Sequence, residues 1–213
     1  MSTSNLGSGF DCFALALGNY LVIEAEKNPG GYEVIRSAAV PELAGLGAED
    51  DLIIKGYRSF FKRAGLNPDP VKIRVLAQTP VGKGLGSSAA AIVGGIAAAG
   101  KLSGIPLKSE EMINLAYQME RHPDNIVAAV LGGFTASILI GDDYVAPYRL
   151  PISEEYRIVA AIPDFSVKTE DARNILPIEI PLRHAVYNIG RAVMLAEALR
   201  KGSTGNLQGF LDD

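Results

Sequence analysis

Tryptophan is absent from this 213-residue sequence, and cysteine occurs once, as Cys12. A single cysteine excludes an internal disulfide framework and fits a reducing cytosol, so the expected location is cytoplasmic. No apolar run reaches the ~18 residues a membrane-spanning helix needs, so no membrane partner is expected. The most apolar stretch, residues 86–100, is built from small residues interrupted by glycine and reads as a buried helix. The N-terminus has no basic-then-apolar signal peptide, and there is no Asn-x-Ser/Thr sequon. The net charge is −4 and there is no basic stripe, so nucleic acid is not the expected partner. What remains is 48% apolar and 21% charged, the balance of a folded core. The length suits one large domain, or one domain and part of another.

The most informative segment is Pro80-Val81-Gly82-Lys83-Gly84-Leu85-Gly86-Ser87-Ser88, running into Ala89 and a helical stretch. Alternating glycines let the backbone turn N–H groups toward a ligand without Cβ clashes. A helix start adds free N–H groups and a favourable dipole, so the segment suits a nucleotide phosphate. The hydroxyls of Ser87 and Ser88 can cap the helix or ligate Mg²⁺. Gly-rich turns also precede helices with no ligand at all. The glycine spacing does not give the Gly-x-Gly-x-x-Gly of a dinucleotide fold. Gly95 to Lys101 has the spacing of a P-loop, but Leu102 replaces the required hydroxyl, so that match is chance.

Along the chain, Tyr20–Glu26 and Tyr32–Arg36 read as strands joined through Asn28-Pro29-Gly30-Gly31 into a hairpin. Asp51–Ala64 reads as an amphipathic helix with Leu52, Ile53, Gly56, Tyr57 and Phe60 on one face. Val71–Ala77 alternates as a strand. Ser87–Leu102 and Ser109–Glu120 read as helices, the latter capped by its serine, and another starts near Pro123. Gly133–Ile140 and Tyr144–Leu150 form a second hairpin. Arg157–Ile162 reads as a buried strand and Leu182–Lys201 as a long helix. A short element begins at Asn206. The first 150 residues make a closed α+β set, which places a domain boundary near Pro151.

Three further constellations carry chemistry. Asn5 and Asp11 flank a Gly-containing turn, and an amide with a carboxylate could grip a small polar substrate. An Asx turn beside a surface acid also accounts for them. Glu120 is a candidate Mg²⁺ ligand, His122 is one of only two histidines, and Asp124 or Asn125 could cap the following helix. A Thr169 cap places Arg173 one turn along the same face, where a hydroxyl and a guanidinium suit a carboxylate. A capped helix with a surface arginine is the alternative.

Together and in this order, these segments resemble the GHMP kinase superfamily and, within it, the homoserine kinases. The glycine loop resembles the ATP loop common to the superfamily. Ser4-Asn5-Leu6-Gly7-x-Gly9-Phe10-Asp11, His122-Pro123-Asp124-Asn125 and Thr169-x-x-Ala172-Arg173-x-x-Leu176-Pro177 are narrower and similar to the homoserine kinase pattern. The resemblance covers essentially the whole chain. It implies an α+β fold of two domains: residues 1–150 as an ATP-binding domain like the second domain of ribosomal protein S5, with a left-handed βαβ unit, and residues 151–213 as the start of a ferredoxin-like domain, left incomplete. Sequence pattern alone would suggest the commoner right-handed crossover.

The resemblance also implies transfer of the ATP γ-phosphoryl group to the hydroxyl of L-homoserine, with Mg²⁺, in threonine biosynthesis. Pro80, Gly82, Lys83, Gly84, Leu85, Gly86, Ser87, Ser88 and Ala89 would bind ATP. Ser88 and Glu120 would approach Mg²⁺. Asn5, Asp11, His122, Asn125, Thr169 and Arg173 would line the amino-acid pocket, with Asp11 suited to the ammonium and Arg173 to the carboxylate. Asn125 stands where mevalonate kinase-like relatives place an aspartate base. It cannot take a proton, so the hydroxyl proton is expected to leave through phosphate or water. The catalytic set is then Asn125, Glu120 and Ser88. The family commonly forms homodimers.

Three departures bear on this reading. Only Met1 precedes Ser2, where the family has a fuller strand. Arg121 stands where relatives often have glycine and would add a cation near the phosphates. Family members continue for roughly another third of this length, including a Gly-x-Gly-Pro-like motif with no counterpart after Ile189. The expectation is a fragment with exposed strand edges and apolar faces, prone to low solubility. A different GHMP kinase, or a nucleotide-binding chain without turnover, are the competing functions.

Overall fold

The computed structural model describes residues 1–37, 40–164, 169–203 and 205–212. In chain order the elements are β1 (Ser2–Ser4), β2 (Phe13–Ala16), β3 (Val22–Lys27), β4 (Glu33–Arg36), α1 (Leu52–Ala64), β5 (Val71–Ala77) and α2 (Ser87–Ser103). There follow α3 (Ser109–Tyr117), α4 (Pro123–Leu131), β6 (Phe134–Ile140), β7 (Tyr144–Leu150), α5 (Thr169–Asn174), α6 (Leu182–Lys201) and α7 (Leu207–Phe210). The strands form two sheets, one antiparallel in the order β1-β2-β6-β7 and one in the order β3-β5-β4.

The predicted hairpin between β3 and β4 does not form. The turn is present, with the Gly31 N–H donating to the Asn28 carbonyl at 3.0 Å. However, β5 inserts between the two strands, antiparallel to β3 and parallel to β4. The reason lies in β5, whose Val71, Ile73 and Val75 are all buried. A strand with the strongest apolar alternation takes the central place, where both edges are paired and one face is covered. The β6–β7 hairpin forms as expected, pairing Phe134 with Leu150 through to Ile140 with Tyr144.

Helix α1 starts at Asp51, whose carboxylate accepts the Ile53 N–H at 2.9 Å and pairs with the Arg36 guanidinium. It ends at Gly65 in the left-handed conformation. Its buried face (Ile53, Ile54, Gly56, Tyr57, Phe60 and Phe61) packs on α2. Leu52, read as part of that face, is only half-buried. The two helices meet backbone to backbone. A Cβ on Gly95 would lie 1.9 Å from the Ile53 carbonyl oxygen, and one on Gly56 2.3 Å from that of Ile92. The small residues of α2 therefore serve close packing, which also disposes of the P-loop spacing at Gly95. Helix α3 opens with Lys108, not Ser109, as its cap residue, and the Glu111 carboxylate accepts the Lys108 N–H at 3.0 Å. It ends at Tyr117, three residues before Glu120, which frees Glu120 to turn toward α2.

Among the described residues after Leu150 there are three helices and no strand. The predicted strand Arg157–Ile162 is irregular and exposed; Val159 is 90% accessible. An apolar run forms a strand only against a partner edge, and none of the described residues supplies one. Helix α6 seats on the first sheet through Leu195, which packs with Phe13, Leu15 and Phe134. The rings of Phe13 and Phe134 meet edge to face at 5.2 Å.

Candidate active site

The glycine loop connects β5 to α2. Gly82, Gly84 and Gly86 have φ of 69°, 68° and 65°, in the left-handed region that favours glycine. Gly86 is the cap residue of α2, and no side chain caps the helix there. The first N–H groups of α2 lack intrahelical partners, which leaves the helix start suited to an anion. Ser2 and Asn125 press close on Gly86: a Cβ there would lie 2.2 Å from Ser2 Oγ and 2.8 Å from Asn125 Oδ1.

A cleft of about 370 Å³ opens in front of this loop. Gly82, Gly84, Leu85, Gly86, Ser87 and Ser88 line it, together with Glu120, His122, Asn125, Asn5 and Arg173. Residues more than 160 positions apart in sequence thus reach one cavity. Pro80, Lys83, Ala89 and Asp11 do not line it; Asp11 adjoins it through its pairing with Arg173. Ala89 is 1% exposed and belongs to the apolar core. Lys83 turns aside, its Nζ donating to the carbonyls of Pro163 and Asp164 at 3.1 and 2.9 Å.

The α3–α4 junction supplies the acidic group. Ser88 Oγ donates to Glu120 Oε2 in a close contact, and His122 Nδ1 lies 2.7 Å from Glu120 Oε1. His122 is the cap residue of α4, with Pro123 in the first turn. Asp124 is 2% exposed, and burial pushes its carboxyl above the usual aspartate range. Its Oδ1 accepts the Asn125 backbone N–H at 2.6 Å, an acceptor role at the helix start. The Asn125 amide is fully engaged: Oδ1 accepts from Ser2 Oγ at 2.8 Å, and Nδ2 donates to Ser4 Oγ at 2.9 Å and to Asp124 Oδ1 at 3.2 Å.

Asn5, which also lines the cleft, accepts the Asp11 backbone N–H at Oδ1, 2.9 Å away. Both residues have positive φ, 57° and 51°, a strain that short polar side chains tolerate best. The Asp11 carboxylate takes both terminal nitrogens of Arg173, Nη1 at 3.0 Å and Nη2 closer still. The carboxylate of Asp11 holds the Arg173 guanidinium above its already high pKa. Phe10 lies under the same guanidinium, 5.4 Å from its ring centroid. The two charges read separately from the sequence are thus each other's partners. Thr169 opens α5, but its side chain lies outside the described residues.

Ser2 was not singled out from the sequence, Ser4 and Val81 were quoted only within motifs, and Asp124 only as a candidate cap of α4. Ser2 and Ser4 had a usable signal, since positions two apart in a strand share a face. Arg121, expected near the phosphates, pairs with Asp143 at 2.9 Å and stacks 5.1 Å over the Tyr117 ring. It lies among the β6–β7 turn residues and does not line the cleft.

A family model described as the GHMP kinases N terminal domain matches residues 51–133, which contain the loop, α2 and the Glu120–Asn125 segment. The fold is also that of a crystal structure of homoserine kinase from Cytophaga hutchinsonii, with a TM-score of 0.80 at 24% identity over 100% of this chain and 69% of that one. The fold is thus that of the GHMP kinases, and the family match takes in the glycine loop. The chain is 41% identical over 212 residues to a homoserine kinase of Caldicellulosiruptor saccharolyticus, covering 100% of this chain and 68% of the relative. It is 40% identical over 199 residues to a homoserine kinase of Thermus thermophilus, covering 93% of this chain and 65% of the relative. The chain belongs to the homoserine kinase family, and spans about two thirds of the length of these relatives.

Proposed function

We propose that this chain transfers the γ-phosphoryl group of ATP to the side-chain hydroxyl of L-homoserine, a step of threonine biosynthesis in the cytoplasm. The observation that carries this reading is the pairing of Asp11 with Arg173 beside an uncapped, glycine-lined helix start. An amino-acid zwitterion carries both charges this pair requires. Its ammonium replaces the guanidinium against Asp11, and its carboxylate replaces Asp11 against Arg173 bidentately. Mevalonate lacks the cation, and a neutral sugar lacks both charges, so neither can open the pair without leaving a charge unpaired.

Residues 1–150 supply the nucleotide-binding domain on this reading, and residues 151–213 begin a second domain that contributes Arg173. Positive φ at three alternating glycines and the free N–H groups of α2 fit the phosphates of ATP, a cradle that a Cβ at Gly86 would spoil. Ser88 and Glu120 converge an uncharged oxygen and a carboxylate, a donor set that fits Mg²⁺, which takes one or two carboxylates plus phosphate oxygens. When bound, Mg²⁺ supplies charge neutralisation for the phosphates. Phosphoryl transfer through a loose transition state asks mainly for positioning and neutralisation, which these groups provide. Asn125 cannot accept a proton and its amide is already bonded, so the hydroxyl proton leaves through phosphate or water.

The test is ADP release with Mg-ATP and L-homoserine, mevalonate or galactose. Stimulation by homoserine alone is expected. Stimulation by mevalonate or galactose but not homoserine would overturn the substrate assignment.

A further inference from the structure

The turn that carries Asn5 and Asp11 is clamped on two sides. It closes on itself through the Asn5 N–H, which donates to the Phe13 carbonyl at 3.1 Å, and the Phe13 N–H, which donates to the Gly9 carbonyl at 2.8 Å. On one side the Phe13 side chain fills the space beside Gly9, where a Cβ would lie 2.4 Å from the ring. On the other side stands α7. A Cβ on Gly7 would lie 2.7 Å from both the Cα and the carbonyl oxygen of Leu211. These are backbone atoms, which no change of rotamer moves aside. Gly7 also has φ of 50°, in the left-handed region.

Helix α7 is itself held in place. It has four residues, too few to persist as a helix alone. Leu207 and Phe210 pack against the apolar cluster of Phe13, Leu15, Phe134 and Leu195, as does Leu6 of the turn. Asp212 Oδ2 accepts from the Tyr187 hydroxyl at 3.2 Å, which ties the end of α7 to α6. Gly7, Phe210 and Leu211 do not line the cleft. The glycine loop stands on β5 and α2, whose apolar cluster includes no residue of α7.

We propose that α7 is the prop of the amino-acid turn. Through the Leu211 backbone against Gly7 it sets where Asp11 stands opposite Arg173, and so governs affinity for the amino acid and not for the nucleotide. Gly7, Phe210 and Leu211 are then positioning residues. The proposal rests on the kinase reading above only in taking L-homoserine as the ligand of the Asp11–Arg173 pair.

The test compares Gly7→Ala, Phe210→Ala and the double variant. Affinities for L-homoserine and for ATP are read by direct binding, each without the other. Opening of the turn is read by amide hydrogen exchange over residues 5–13, against residues 87–103 of α2. Phe210→Ala loosens α7 and is expected to weaken homoserine binding about fivefold. It is also expected to speed exchange of the turn. ATP affinity and α2 exchange should stay within about twofold, as for a distant site. Gly7→Ala is expected to weaken homoserine binding about tenfold or more, since a side chain there is both strained and obstructed. The double variant is expected to bind homoserine no more weakly than Gly7→Ala, because a loosened α7 gives way before the added methyl group. Additive losses in the double variant would place the cost in the backbone of residue 7 alone and overturn the proposal. Unchanged turn exchange in a folded Phe210→Ala would overturn it too, as would equal losses of ATP and homoserine affinity. Should Phe210→Ala unfold, Tyr187→Phe removes one hydroxyl from the α6–α7 tie and is expected to shift turn exchange and homoserine binding in the same directions. The exchange readout needs no ligand. A wild-type chain that ignores homoserine therefore fails the kinase reading, while turn exchange still decides the prop. Unchanged turn exchange in a chain that phosphorylates homoserine fails the prop alone.

Discussion

Helix α2 and the segment 158–162 have similar apolar character, yet Ile92 is 1% exposed and Val159 90%. Both read from the sequence as buried. Helix α2 is surrounded by α1, α3, α4 and β3. The later segment has no such neighbours among the described residues, and neither does most of the surface around Ile175, Ile178 and Leu182, which are 83%, 103% and 79% exposed. Burial is therefore a property of the partner and not of the run itself. Composition says that an apolar segment needs a cover; it does not say where the cover comes from.

The sharpest way to break this contrast is to widen the α1–α2 contact. Gly95→Ala puts a methyl group 1.9 Å from the Ile53 carbonyl oxygen, so the helices must separate. Loss of about 3 kcal/mol or more in urea unfolding is expected, at the upper end of overpacking penalties. A loss below about 1 kcal/mol would mean the helices slide apart freely.

A second, intermediate effect lies in the same core. Tyr57 is fully buried, and its phenol is pushed up to about 12 by burial, with smaller contributions from Tyr32 and Asp69. Above pH 10 the unfolded chain loses this proton while the folded chain keeps it. Stability from this group is thus complete below pH 10 and declines as pH rises from about 10 to about 12. Unfolding curves of wild type and Tyr57→Phe across that window check the sign, since the variant should decline less steeply. The smallest effect is expected at the exposed counterpart. Val159→Ala should change stability by no more than about 0.5 kcal/mol, as at any exposed position.

The same distinction governs how far the sequence could be read. The start of α2, the β6–β7 hairpin and α6 depend on neighbours along the chain, and their signals are local: alternating glycines, a Gly-Asp-Asp turn, a long helical period. The insertion of β5 between β3 and β4 depends on a competition among distant strands, which no window of sequence contains. In the site, Gly82 to Ser88, Glu120 and His122 were legible because their chemistry is concentrated in short motifs, and the structure brings them to one cleft. Lys83 and Ala89 belong to the same motif yet face elsewhere, because a motif does not say which way each side chain turns. Ser2 and Ser4 were passed over because a three-residue strand gives too short a period to notice. Asp11 and Arg173 were each singled out, but their union across 162 positions is a product of the fold.

That union is the most direct point of attack. The measurement is the pair of KM values, for L-homoserine and for ATP, of Arg173→Met against wild type. A guanidinium that holds the substrate carboxylate predicts a homoserine KM raised by roughly 30-fold or more, the scale of a charged hydrogen-bonded pair, with the ATP KM within about threefold. An unchanged homoserine KM, or a shift confined to ATP, would contradict the account.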